Sequence, residues 1–120
     1  MNDMSPHEKI RNTALVFKVK HSRLDNTSAP IVRARLAALI REGHRRIAVE
    51  MSEVDFIDSR GLGVLVSAAR QLGDGGDFVI SAPRNTVLCM FKLTRLHRVF
   101  RIFDDERQAV AALQSSEPKE

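Results

Sequence analysis

The stretch VDFIDSRGLGVLVSAARQL, residues 54–72, places an acid, a hydroxyl, a cation and two glycines between an apolar run and a helical pattern. After the turn, apolar residues recur at the spacing of one helix face, at Leu62, Leu65, Val66, Ala69 and Leu72. A helix is therefore predicted to begin near Arg60, with Leu62, Leu65 and Ala69 buried. Its first backbone N–H groups lack intrahelical partners, and either Asp58 or Ser59 can cap them.

The glycines of this turn are unusual, because each glycine in a helix costs about 0.8 to 1.0 kcal/mol relative to alanine. The absence of side chains at Gly61 and Gly63 lets another backbone, a ligand or a partner protein approach the turn closely. The positive end of the helix dipole points out of the same turn, so an anion carried on Ser59 would be stabilised there. The turn is therefore predicted to be a contact site.

Three chemical uses of the turn can be compared. A phosphate-cradling loop fits poorly, since the pattern is neither G-x-x-x-x-G-K-[ST] nor G-x-G-x-x-G. A nucleophilic serine also fits poorly, because DSRGLG is not G-x-S-x-G and no histidine has a sequence context that marks it as the base. A phosphorylated serine fits better, because it needs an exposed, approachable backbone and a place that tolerates a charge of about −1.5 to −2.

The rest of the chain alternates between strand and helix patterns. Strands are predicted at residues 13–20, 46–51, 78–82 and 99–103. Helices are predicted at residues 27–42, from about 60 to 72, at 85–93, and from 104 or 105 onward. Residues 7–12 (HEKIRN) could pair with the first strand through a turn at Asn12 and Thr13. Such alternation predicts an α/β fold with a mostly parallel sheet. In such folds the functional residues most often lie in the turns that lead from a strand into a helix.

Length and composition limit the class of protein. A chain of 120 residues with 43% hydrophobic content is expected to form one domain, with a frayed tail at residues 115–120. It has no apolar run of membrane-spanning length and no apolar N-terminal segment, so a cytoplasmic protein without membrane association is expected. The lone Cys89 is predicted to be a buried helical residue. The net charge of +4 favours an acidic partner or, less specifically, nucleic acid.

Residues 54–72 resemble the signature of the STAS domain family, in its bacterial anti-sigma factor antagonist branch, where a strand ends in Asp-Ser-x-Gly-[Leu/Ile/Val]-Gly. The resemblance covers nearly the whole chain. SRLDNTSAPIVRARL (residues 22–36) is similar to the family's Leu-Asp loop and first helix, and LTRLHRVFRIFDDERQAVAAL (residues 93–113) to its C-terminal strand and helix. The resemblance implies a single STAS-like domain, with a mixed, mostly parallel sheet of four to five strands and about four helices mainly on one side.

The resemblance also implies a partner-switching mechanism. In the family the first serine of the motif, here Ser59, is phosphorylated by a cognate serine kinase that is also an anti-sigma factor or a switch protein. The unphosphorylated protein binds that kinase, phosphate abolishes the binding, and a phosphatase restores it. No catalytic activity, cofactor or metal is implied. The implied partner surface comprises Asp25, Asn26, Asp58, Ser59, Arg60, Gly61, Leu62 and Gly63. Asp25 has an alternative use, as a turn or cap residue before the first helix.

The chain departs from the family pattern at three places. Arg60 follows the serine, where the family commonly has Ser, Thr or a small residue. Ser22 and Arg23 stand where a glycine and an acid often precede the Leu-Asp pair, so both departures add positive charge near the implied contact surface. Arg95 stands where many members have a glycine after the third helix, so this helix must end in another way or adopt a less favourable backbone.

Other functions remain as alternatives. The first is a STAS module that scaffolds a larger complex or senses a ligand without being phosphorylated. A more distant one is a basic nucleic-acid-binding protein, suggested by a sequence pI of 9.8 and by the segments REGHRR and KLTRLHRVFR. The basic residues are scattered, however, and the chain has no Trp or Tyr for base stacking. An enzyme is not supported, because no nucleophile with an evident base, metal cluster or cofactor loop is present.

Overall fold

The computed structural model describes residues 8–11 and 13–115. Its strands are β1 (Glu8–Arg11), β2 (Ala14–Lys18), β3 (Arg23–Leu24), β4 (Arg46–Glu50), β5 (Phe56–Ile57), β6 (Asp77–Ser81) and β7 (Arg101–Phe103). Its helices are α1 (Ala29–Arg41), α2 (Ser59–Leu72), α3 (Asn85–Leu93) and α4 (Glu106–Ser115), and short 3-10 turns lie at Gly73–Gly75 and Leu96–Arg98. No helix in this described part of the chain is both long and apolar enough to cross a membrane.

The main sheet has five strands in the order β1-β2-β4-β6-β7. Strand β1 pairs antiparallel with β2, and the other neighbours pair in parallel. The sequence-based prediction of an α/β domain with a mixed, mostly parallel sheet is therefore confirmed. The predicted pairing of residues 7–12 appears for Glu8–Arg11 as β1, while His7, and Asn12 of the predicted turn, lie outside the described residues. Most of the predicted frayed tail, residues 116–120, also lies outside them.

Alternation along the strands divides the core between the two faces of the sheet. Leu15 and Phe17 of β2 belong to the larger cluster, which also contains the buried residues of α1, α2 and α3. Val16, between them, belongs to a smaller cluster that contains Ala109 and Leu113 of α4. Three helices thus cover one face and α4 covers the other, as expected for helices mainly on one side.

A second, two-stranded sheet was not predicted. Strands β3 and β5 pair in parallel, with Leu24 opposite Ile57. Each has only two residues, too few to show a hydrophobic period. The backbone N–H of Asp58 donates to the Leu24 carbonyl at 3.3 Å, and this bond continues the pairing to the start of α2. The small sheet therefore places the turn at residue 58 directly against the loop that precedes α1.

Two predictions about buried residues are wrong. Cys89 is exposed, because Val87 and Phe91 on either side of it fill the core from the opposite face of α3. Ala69 is only partly buried, whereas its neighbour Ala68 is buried at 5% exposure. The buried stripe of α2 thus keeps the predicted Leu62, Leu65 and Leu72. It adds Val64 and Ala68, while Val66 and Ala69 are only partly buried.

Helix α3 ends in the second of the two predicted ways, with Arg95 in a less favourable backbone conformation. Thr94 is the C-cap of the helix, and Arg95 then adopts the left-handed conformation with φ +64°. This backbone is one that glycine adopts more readily than arginine. Arg95 thus stands where the turn itself would favour a glycine.

Candidate functional site

The site begins with the cap of α2. Asp58 has an extended backbone, and its Oδ1 accepts hydrogen bonds from the N–H groups of Arg60 at 2.9 Å and Gly61 at 3.1 Å. Of the two residues that could cap the helix, Asp58 is therefore the one that does. Ser59 is exposed, and its hydroxyl has no hydrogen-bond partner within the described part of the chain. The cap thus leaves the Ser59 hydroxyl facing solvent.

The two glycines of the turn meet different surroundings. A Cβ on Gly61 would lie 2.3 Å from the carbonyl oxygen of Leu24 and 2.8 Å from Cγ1 of Ile57. Gly61 is therefore required by the close approach of the β3 backbone, one of the uses predicted from the sequence. A Cβ on Gly63 would have no such neighbour within 4 Å. Gly63 instead leaves open space at the surface of the helix.

That open space is part of a groove between the beginnings of α1 and α2. The groove has a volume of about 420 Å³ and is called here the α1–α2 groove. Its lining residues are Asn26, Ala29, Pro30, Arg33, Ser59, Arg60 and Gly63. The structure thus brings together four of the residues predicted at the partner surface, namely Asn26, Ser59, Arg60 and Gly63. Gly61 and Leu62 are buried behind them and support the start of the helix.

Asp25 lies beside the groove, in the turn before α1. Its Oδ1 accepts a hydrogen bond from the backbone N–H of Thr27 at 3.1 Å, and its Oδ2 accepts one from Nε of Arg23 at 3.2 Å. The Thr27 hydrogen bond lowers the pKa of Asp25 below its ordinary value, and Arg23 acts in the same direction, while partial burial opposes them. Asp25 therefore serves the turn, the alternative use expected for it. Its role at a partner surface stays a prediction.

Arg33 is a residue of the site that sequence reasoning missed. Its Nη1 donates to Oγ of Ser67 on α2 at 3.4 Å, and Nε2 of Gln71 donates to the Ala37 carbonyl at 3.4 Å. These contacts follow one stripe of each helix, at residues 26, 30, 33 and 37 of the first segment and 59, 63, 67 and 71 of the second. The helical spacing was visible in the sequence, but the fact that the two stripes face each other was not.

The charges of the groove are mainly positive. Arg60 is exposed next to Ser59, and Arg33 lies on the opposite wall. The carboxylates of Asp25 and Asp58 are engaged by backbone N–H groups and do not pair with these two guanidinium groups. Among the described residues, no cluster of three or more His, Cys, Asp or Glu side chains could hold a metal ion. The site is therefore a basic groove in which the Ser59 hydroxyl has no partner among the described residues.

Residues 5–109 match the family model described as the STAS domain. The match covers most of the chain, including the DSRGLG turn. The chain therefore belongs to the STAS domain family. Family membership confirms the resemblance of residues 54–72 to the STAS signature.

The relatives of the chain include anti-sigma factor antagonists. The Bordetella bronchiseptica protein BtrV, provisionally named as one, is 27% identical over 97 residues, which cover 80% of this chain and 84% of BtrV. The crystal structure of an anti-sigma factor antagonist from Mycobacterium paratuberculosis has a TM-score of 0.83 at 21% identity, covering 89% of this chain and 91% of that one. The unphosphorylated anti-sigma factor antagonist SpoIIAA has a TM-score of 0.73 at 19% identity, covering 92% and 97%. Phosphorylated SpoIIAA of Bacillus has a TM-score of 0.63 at 20% identity, covering 88% and 95%.

Proposed function

We propose that this chain is an anti-sigma factor antagonist, or a related partner-switching regulator, that acts through Ser59. In this proposal the unphosphorylated protein binds a cognate serine kinase that is also an anti-sigma factor, and phosphorylation of Ser59 releases it. The kinase transfers the γ-phosphoryl group of ATP to Oγ of Ser59, the hydroxyl loses its proton, and ADP leaves. A phosphatase restores the hydroxyl by hydrolysis. The protein itself acts as a cytoplasmic binding module, without catalytic activity or a cofactor.

The observation that carries the proposal is the Ser59 hydroxyl, which is exposed, lines the α1–α2 groove and has no hydrogen-bond partner in the described part of the chain. Because Asp58 already caps the helix, a kinase can modify Ser59 without removing a bond that holds α2 together. The missing side chain at Gly63 lets a partner approach the groove directly beside this hydroxyl. The site therefore combines access for a modifying enzyme with space for a bound partner.

The physical basis of release is the charge and size of the phosphate. A phosphoserine adds a charge of about −1.5 to −2 and three oxygens that require hydrogen bonds or water. A partner that closes over Gly63 and the start of α2 would have to desolvate this group or lie at a distance from it. The names of the similar proteins support the proposal, since SpoIIAA is described in both an unphosphorylated and a phosphorylated form.

Variants of Ser59 should separate regulation from structure. Ser59→Asp should fold normally, because an acid is favourable in the first turn of a helix, yet it should weaken binding of the kinase partner at least about tenfold. Ser59→Ala should bind the partner and resist release, and it should lose less than about 0.5 kcal/mol of stability, because Asp58 is the cap. Affinities would be measured by calorimetry with candidate anti-sigma kinases of the same organism.

The matched control is Ala111→Asp, which adds the same charge at an exposed residue of α4, on the opposite face of the sheet. It should bind the partner much as the wild-type protein does. Incubation with ATP and each candidate kinase, followed by mass spectrometry, should locate phosphate on Ser59. Equal partner affinities for all three variants, or phosphate on Ser67 or Thr94 instead of Ser59, would contradict the proposal.

Nucleic-acid binding is expected to be weak and sensitive to salt. Although the segment 92–101 carries exposed cations at Lys92, Arg95 and Arg98, the chain has no Trp or Tyr to stack on bases. Titration with unrelated duplexes at two salt concentrations checks this expectation. Sequence-selective binding that persists at physiological salt would favour the nucleic-acid alternative instead.

A further inference from the structure

The line along which α1 and α2 face each other, called here the seam, is bridged by hydrogen bonds at one end and is open at the other, where it forms the α1–α2 groove. The hydrogen bonds from Arg33 to Ser67 and from Gln71 to Ala37 close the far end, whereas the missing side chain at Gly63 leaves the near end open. Both closing bonds measure 3.4 Å, which is long for a hydrogen bond between nitrogen and oxygen. The closure by Arg33 is therefore weak, and its guanidinium can exchange partners at small cost.

Arg33 lies opposite the open part of this seam. Ser59, Gly63 and Ser67 lie on one stripe of α2, each about 6 Å along the axis from the next. Arg33 contacts Ser67 on one side of Gly63, and it lines the groove together with Ser59 on the other side. No side chain at Gly63 stands between these two positions. The guanidinium therefore has an open path along the groove from Ser67 towards Ser59.

A phosphate on Ser59 would be the better acceptor for this guanidinium. The bond to Ser67 joins a charged donor to a neutral hydroxyl at the surface, whereas a phosphate offers a dianion with several oxygens. Guanidinium groups match phosphate oxygens in a bidentate geometry, which lysine does not provide. Arg60 adds positive charge next to the phosphate, but it belongs to α2 and cannot join the two helices.

We propose that Arg33 turns from Ser67 to the phosphate when Ser59 is phosphorylated, and that this ion pair bridges α1 and α2 over Gly63 and closes the groove. This inference rests on the proposed function for the phosphorylation of Ser59. Arg33 is then a positioning residue, since it holds the phosphate across the space that a partner would enter. Among the described residues, the charged side chains in or beside the groove are Arg33, Arg60, Asp58 and Asp25, with Arg23 paired to Asp25. Both carboxylates are already bound to backbone N–H groups.

The test uses the full chain with phosphoserine installed at position 59 during translation, so that neither kinase nor partner is needed. The second pKa of the phosphate is measured by ³¹P NMR in the wild-type protein and in Arg33→Gln. The matched control is Arg41→Gln, which removes the same charge from an exposed residue in the last turn of the same helix. A paired guanidinium favours the dianion, so Arg33→Gln should raise this pKa by about 0.3 to 0.7 unit relative to Arg41→Gln.

Arg33→Lys should give an intermediate pKa, because it keeps the charge and loses the bidentate geometry. Equal pKa values in Arg33→Gln and Arg41→Gln would overturn the inference, and so would a rise that only Arg60→Gln produces. The melting temperatures of the unphosphorylated variants should be unchanged, because both arginines are exposed.

If no kinase modifies Ser59, the proposed function fails while the phosphate titration still reports on Arg33. If Ser59→Asp abolishes partner binding but the titration shows no effect of Arg33, only this inference fails.

Discussion

Replacement of Gly61 by alanine is expected to destabilise the protein by about 1 to 3 kcal/mol, although alanine is the better helix former by about 1 kcal/mol. The new Cβ would lie 2.3 Å from the Leu24 carbonyl oxygen, a backbone atom that cannot rotate away. Either β3 or the first turn of α2 must then shift, and the bond from the Asp58 N–H to the same carbonyl must lengthen. Urea denaturation followed by circular dichroism measures the effect.

Gly63→Ala is the matched comparison, because it makes the same chemical change two residues further on. Its Cβ meets nothing within 4 Å, so this variant should gain about 0.5 to 1 kcal/mol of stability from helix propensity. It should also weaken partner binding, since its methyl group enters the α1–α2 groove. A similar change of stability in both variants would show that the contact with Leu24 does not constrain position 61.

Truncation of Leu65 to alanine is expected to cost about 2 to 5 kcal/mol. Leu65 is 0% exposed and belongs to the larger core cluster between the sheet and its three covering helices. The cavity left by the missing atoms can be filled only if α2 shifts relative to the elements it packs against, which include α1 and β6. Leu93→Ala is the control, since this leucine is 78% exposed and its truncation should stay within about 0.5 kcal/mol of wild type. Equal losses in the two variants would contradict the assignment of the core.

The fold was largely predictable because its strong signals are local. Apolar and polar residues alternate along β2, and glycine, proline and acidic residues mark the ends of helices. These patterns place most elements within a few residues of their observed bounds. Strand β7 is shorter than predicted, beginning at Arg101 and not at Val99, because a 3-10 turn occupies Leu96–Arg98. The predicted segment boundaries were thus least accurate where a turn meets a strand.

The candidate site was predictable only in part. Asp58 and Ser59 are both good capping residues, and only the geometry of the turn decides between them. Gly61 and Gly63 look alike in the sequence, but the Leu24 carbonyl that distinguishes them comes from a strand too short to be predicted. Arg33 belongs to the site because α1 packs beside α2. A helical pattern carries no information on which neighbour a given stripe will meet.

The pairing of β3 with β5 has a consequence for the thermodynamics of association. The loops that carry Asp25 and Asp58 are held by backbone hydrogen bonds between residues 22–24 and 55–58, and by the bond from Oγ of Ser28 to the Arg23 carbonyl at 2.6 Å. Loops fixed in this way lose little conformational entropy when a partner binds. Such preorganisation implies that the affinities of different partners will differ mainly in their dissociation rates. A variant in which these loops are less firmly held, such as Gly61→Ala, should bind with a larger unfavourable entropy.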